Sequence, residues 1–191
     1  MVTALVPIAP GSEELEAVTV IDLLRRAGVA VTVAGLGDGP IEASRGVRLL
    51  PDRTLAEAAT EDFDLVVLPG GGPGAQALAA DPNLQTLLRR HAEAGAWLGA
   101  ICAAPSILAG AGLLAGRSAT SFPGWLDEVA DVDYREDPVV VDGRIVTSRG
   151  PGTAMDFALR LIELVCGREK AEEVEARLQR PTAQQLFAAG P

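Results

Sequence analysis

Cys102 stands between an apolar run, Trp97-Leu98-Gly99-Ala100-Ile101, and the small-residue stretch Ala103-Ala104-Pro105. That order predicts a buried strand, a sharp turn and the start of a helix, which would lift one side chain out of a sheet at the edge where α/β enzymes hold their chemistry. A thiol so placed is a candidate nucleophile. A helix N-terminus beside it would favour the thiolate, because unpaired backbone N–H groups and the macrodipole bring partial positive charge to the sulfur. The alternative is a packed core cysteine, since free cysteine is among the most buried residue types. Its neighbours decide for the nucleophile.

Two other turns follow predicted strands and should gather with Cys102 at the same sheet edge: Gly11-Ser12-Glu13-Glu14-Leu15-Glu16 and Pro69-Gly70-Gly71-Gly72-Pro73-Gly74. Glycine-rich backbone beside a cysteine suits an oxyanion pocket, because N–H groups with no Cβ in the way approach developing negative charge closely. Gly71 and Ala103 are the expected donors. A phosphate loop is the competing reading of the glycines, but the segment lacks the Lys-Ser/Thr ending and does not match G-x-G-x-x-G, so nucleotide binding is not expected. Glu16 lies one helical turn inside its helix, where it can point back at the sheet edge. Glu13 and Glu14 read as surface charges that compensate the helix dipole. A carboxyl buried beside a thiolate is kept protonated by desolvation and like charge, and can then donate a hydrogen bond to sulfur.

The sole histidine, His91, falls near the end of the helix that leads into the Cys102 strand. Five strand residues at ~3.3 Å each separate it from the sulfur by roughly 16 Å. It is expected on the surface, and a Cys-His dyad is not, which counts against protease and glutamine amidotransferase chemistry. Cys166 precedes a capping glycine in an apolar helix, and packing accounts for it. Arg25, Arg26, Arg45 and Arg149 read, on their own, as surface arginines that close helices or pair with carboxylates.

Short β-branched runs alternate with longer helical patterns along the chain, the mark of βαβ units and a mostly parallel sheet covered on both faces. Strands are expected at Thr3 to Ile8, Val29 to Ala34, Leu65 to Leu68 and Trp97 to Ile101. The first helix begins at Glu13-Glu14 and ends at Arg25-Arg26-Ala27-Gly28. Another runs from Asn83 to Ala94, apolar at Leu84, Leu87 and Leu88. Val139 to Thr147 forms a hairpin with an Asp-Gly turn. Gly150-Pro151-Gly152-Thr153 opens a long helix to Cys166, closed by Gly167. We expect one domain over residues 1–180 and a loosely held tail over 181–191.

The 191 residues, 48% hydrophobic, suffice for one substantial core. The net charge of −10 argues against nucleic-acid or anionic-membrane surfaces. Two cysteines form neither a disulfide framework nor a metal cluster, and the N-terminus lacks a signal-type basic and apolar region, so a reducing cytoplasm is the expected compartment.

Read together, Ala9-Pro10-Gly11-Ser12-Glu13-Glu14-Leu15-Glu16-Ala17-Val18, Ser44-Arg45-Gly46-Val47, Val67-Leu68-Pro69-Gly70-Gly71, Ala100-Ile101-Cys102-Ala103-Ala104-Pro105 and Thr147-Ser148-Arg149-Gly150-Pro151-Gly152-Thr153 resemble the ThiJ/PfpI superfamily, and within it the deglycase and YajL branch. Ser121-Phe122-Pro123 and Gly167-Arg168-Glu169-Lys170-Ala171 favour YajL. The resemblance implies a flavodoxin-like, class I glutamine amidotransferase-like three-layer sandwich and a homodimer. It maps the reactive cysteine onto Cys102, the partner glutamate onto Glu16 and the backbone donors onto Gly71 and Ala103. It also places Arg25, Arg26 and Arg45 near an anion-accepting patch at the dimer contact. Implied activities, all without cofactor or metal, are conversion of methylglyoxal to lactate and repair of early glycation adducts on proteins and nucleotides. Redox-regulated chaperoning or oxidative sensing through Cys102 is the second implied role, and peptidase activity the third. Many members carry a histidine before the proline matching Pro123. Here Phe122 takes that place, which removes an imidazole from the implied proton transfer.

Overall fold

The computed structural model describes residues 1–180; the expected tail at 181–191 lies outside the described residues. The first half of the chain forms β1 (Thr3–Ile8), α1 (Glu14–Arg26), β2 (Ala30–Gly35), β3 (Ile41–Glu42), β4 (Arg48–Leu49), β5 (Arg53–Thr54), α2 (Leu55–Ala58), β6 (Leu65–Leu68), α3 (Gly72–Ala79) and α4 (Pro82–Glu93). The second forms β7 (Trp97–Ile101), α5 (Pro105–Gly110), β8 (Arg117–Ala119), β9 (Val132–Tyr134), β10 (Val139–Asp142), β11 (Ile145–Ser148), α6 (Ala154–Cys166) and α7 (Arg168–Arg177).

Seven strands make the central sheet in the order β10-β11-β7-β6-β1-β2-β5, parallel throughout except for the β10–β11 hairpin. Alternate residues of these strands enter opposite cores, as a sheet covered on both faces requires. Leu5, Val66, Leu68, Leu98 and Ala100 pack with α2 to α5 on one side. Ala4, Val6, Ile8, Leu65 and Val67 pack with α1, α6 and α7 on the other. The architecture is the expected three-layer α/β sandwich.

Because β1, β6 and β7 are adjacent and parallel, their C-terminal turns emerge side by side. This adjacency brings Ser12, Gly71 and Cys102 together from positions far apart in the chain. The opposite, amino-terminal edge holds His91. It is 2% exposed, not on the surface as its polarity suggested. Its Nδ1 lies 2.9 Å from the Leu87 carbonyl, and its Nε2 accepts the Phe63 N–H at 2.9 Å. Two satisfied ring nitrogens make burial of an imidazole affordable.

Candidate active site

The first turn is closed by Ser12, which is fully buried: its Oγ accepts the Ala9 N–H at 3.0 Å and its own N–H donates to the Ala9 carbonyl. Glu13 N–H then donates to the Gly70 carbonyl at 2.9 Å, fastening the first turn to the second. Gly71, at φ +85°, sits so close that a Cβ there would lie 2.3 Å from the Gly11 carbonyl oxygen, so no other residue fits.

Glu16 is 0% exposed. Its Oε2 accepts the Gly70 N–H at 2.8 Å. Its Oε1 has no hydrogen-bond partner, and the carboxyl lies within interaction range of the Cys102 thiol. Gly70 permits this approach: a Cβ on it would fall 2.6 Å from Cys102 Cβ and 2.7 Å from Glu16 Oε2. In the sequence Gly70 is marked only as one of a run of glycines; its part depends on the two distant segments it meets.

Cys102 has left-handed backbone at φ +63°, which costs a non-glycine residue about 1–2 kcal/mol and is a common mark of functional turns. Its N–H donates to the Ser148 carbonyl at 3.0 Å and its carbonyl accepts the Phe122 N–H at 2.9 Å, so both sides of the strained residue are held. The helix α5 starts only at Pro105, so the positive field at sulfur comes mainly from the N–H groups of Gly71 and Ala103, both of which reach Cys102.

Burial pushes Glu16 up to about 7 against the pull of the Gly70 N–H and the thiol. Burial also pushes the Cys102 thiol up, to about 12, and the neighbouring Glu16 charge adds to this, while Gly71 and Ala103 pull it down. The sequence reading expected a thiol lowered by its helix terminus; desolvation and like charge outweigh the backbone donors. Above about pH 7 the pair therefore keeps one proton, carried by sulfur, and the thiolate forms when that proton passes to Glu16.

A cleft of about 710 Å3 opens above Cys102, with Gly71, Ala103, Phe122, Trp125 and Arg45 among the residues lining it. Another, of similar size, lies at the far sheet edge beside His91 and carries none of the expected site residues. Glu14 is buried, contrary to the surface position expected of it. Burial works to raise its pKa, but hydrogen bonds from its own N–H, the Ser44 hydroxyl and the Arg45 and Val47 N–H groups outweigh that and hold it below the ordinary carboxylate value. It thereby anchors the loop that carries Arg45.

Arg25 and Arg26 are not brought to the cleft: Arg25 pairs with Asp52 at 3.4 Å and Arg26 with Asp22 at 2.6 Å. Arg149 donates to the Glu136 carbonyl. Trp125 and Glu13 line the cleft, and sequence spacing singled out neither for that place. Among the described residues no cluster of metal-ligating side chains occurs.

The DJ-1/PfpI family model matches residues 2–164. A Drosophila melanogaster protein named dj-1beta is 47% identical over 90% of this chain and 94% of its own. A Caenorhabditis elegans protein named glutathione-independent glyoxalase DJR-1.2 is 35% identical over 90% of this chain and 93% of its own. The structure of oxidized Toxoplasma gondii DJ-1 superposes with a TM-score of 0.91 at 40% identity, covering 95% of this chain and all of that one. A match of this extent, on top of a cysteine elbow faced by a buried glutamate, makes the chain a member of the DJ-1/PfpI family.

Proposed function

We propose that this protein is a cofactor-independent glyoxalase that converts methylglyoxal to lactate. The observation that carries the reading is the buried Glu16 carboxyl, tied through one oxygen to the Gly70 N–H and within interaction range of the Cys102 thiol. Transfer of the thiol proton to Glu16 yields thiolate and neutral acid. Sulfur adds to the aldehyde carbon, forming a C–S bond, and the carbonyl oxygen gains a negative charge that the Gly71 and Ala103 N–H groups stabilise. Glu16 protonates that oxygen and takes the proton from the former aldehyde carbon; the ketone oxygen gains a proton to give an enediol, the carbon-bound proton returns to the neighbouring carbon, and the first oxygen gives up its proton to become the thioester carbonyl. The product is a 2-hydroxy thioester, and water cleaves its C–S bond to release hydroxy acid and free thiol. One carbon is oxidised and its neighbour reduced, so no outside oxidant is required.

The same machinery supports removal of early glycation adducts: the Cys102 sulfur displaces the glycated amine or thiol from the adduct carbon, that bond breaks as the leaving group takes the proton held by Glu16, and the hemithioacetal so formed follows the same course. An oxidative role is favoured by one further observation, the N–H pair facing sulfur, which suits a sulfinate as well as an oxyanion. Peptidase chemistry finds no imidazole here, since His91 lies at the opposite edge. We place the protein in the cytoplasm as a homodimer, with no membrane or nucleic-acid partner. Two free thiols, a net charge of −10 and the absence of a membrane-length apolar helix among the described residues support that placement.

Lactate should form from methylglyoxal with turnover, vanish in Cys102→Ala and fall at least about 100-fold in Glu16→Gln. Stoichiometric uptake without turnover would reduce the site to an aldehyde trap. In that case a gain of two oxygens at Cys102 after mild peroxide, read by intact mass, would carry the oxidative role instead.

A further inference from the structure

We propose that the cleft is shaped for 2-oxoaldehydes bearing a planar aromatic substituent, and that Phe122 and Trp125 set this preference; the proposal rests on the glyoxalase reading. Phe122 rides on the nucleophile's own backbone, its N–H donating to the Cys102 carbonyl at 2.9 Å. Phe122 is 48% exposed and lines the cleft, which leaves apolar surface free to meet a ligand. Trp125 N–H donates to the Phe122 carbonyl at 3.3 Å, which closes a turn and carries the indole round to the same opening. The indole does not hang free. It packs partly against the core, Leu126 beside it is 2% exposed, and a Cβ on Gly72 would fall 3.3 Å from Trp125 Cζ2. Gly72 thus leaves the space that the indole edge takes.

Two aromatic residues lining a cleft of about 710 Å3 offer more apolar surface than the methyl group of methylglyoxal can cover. A phenyl group on the same dicarbonyl would have aromatic partners for stacked or edge-to-face contact while its aldehyde carbon stays at Cys102. Arg45, which also lines the cleft, is a cation available to the carboxylate that the reaction creates. The fit therefore extends to the product, an aryl 2-hydroxy acid.

Binding can be read without turnover by titrating the Cys102→Ser protein calorimetrically with mandelate and with lactate. Mandelate should bind at least about tenfold more tightly, the scale on which an apolar pocket discriminates. Trp125→Ala and Phe122→Ala, each added to Cys102→Ser, should bring the two acids to within about threefold, and Trp125→Phe should keep most of the preference. Equal affinities in the parent, or a ratio that survives both alanine substitutions, would overturn the proposal. Should Trp125→Ala fail to fold, the half-exposed Phe122 carries the comparison alone. Failure of wild-type protein to make lactate sinks the glyoxalase reading separately and leaves the mandelate-to-lactate ratio measurable.

Discussion

At Glu16 and Cys102 an acid shut off from water meets a thiol that is partly so, and ionising the two together sets like charges side by side in a medium that screens them poorly. The cost has a sign that can be followed in stability. The folded pKa of Glu16 is raised from 4.5 to about 7. Its contribution is therefore complete below 4.5, where folded and unfolded chains both carry the proton, and is lost as pH rises through about 7. Over that interval the loss is on the order of 3 kcal/mol. Glu16→Gln, which cannot ionise, should escape it. The melting temperature of Glu16→Gln minus that of wild type should climb between pH 5 and pH 8, by roughly 2–4 °C per kcal/mol recovered. Any constant penalty of the amide cancels in that difference. A flat or falling difference would show that the carboxyl is not desolvated as the geometry requires. The cysteine, the glutamate and the two donors were legible in the sequence because turn chemistry and helical spacing are local. The direction of the thiol's shift was not, since it depends on how much water three distant segments jointly exclude.

Elements built from continuous apolar runs were readable to the residue: β1, β6 and β7 occupy Thr3–Ile8, Leu65–Leu68 and Trp97–Ile101 as expected. β2 is displaced by one position, to Ala30–Gly35, and α4 likewise begins at Pro82 instead of Asn83. The two-residue strands β3, β4 and β5 were not foreseen, because they are too short to show a period. For α4 the signal was present and misread. His91 follows Leu84, Leu87 and Leu88 at helical spacing and is buried on the same face, but its polarity pointed outward. Its role is to join α4 to the chain entering β6 through the Phe63 N–H. His91→Ala should leave that buried donor without a partner and open a void, lowering stability by about 2–4 kcal/mol in urea unfolding. The rate of Cys102 alkylation should stay within about twofold, since the opposite sheet edge is untouched. A large change in that rate would mean that the two edges are coupled through the sheet.

For the whole molecule, the proposed homodimer needs an apolar face that the single chain leaves open. Leu15 and Val18 of α1 and Val47 of the following loop are 50%, 47% and 48% exposed. Glu14 binds the Arg45 and Val47 N–H groups, which holds the loop carrying Val47 to the start of α1. A two-fold axis through this face would bury the same surface of both subunits, so each substitution acts twice. That face also borders the cleft, because Arg45 lies in the same loop and lines it. Dimerisation and activity should therefore fail together. Sedimentation velocity is expected to show a dimer for wild type and a monomer for the double variant Leu15→Glu, Val47→Glu, whose four buried carboxylates per dimer would have no partners. In the monomer, kcat/KM for methylglyoxal should fall about tenfold, the size of effect expected when a cleft wall loses its support. A wild-type monomer would remove the dimer outright. A monomeric variant with undiminished kcat/KM would instead confine the active site to one chain, and the patch would then serve assembly alone.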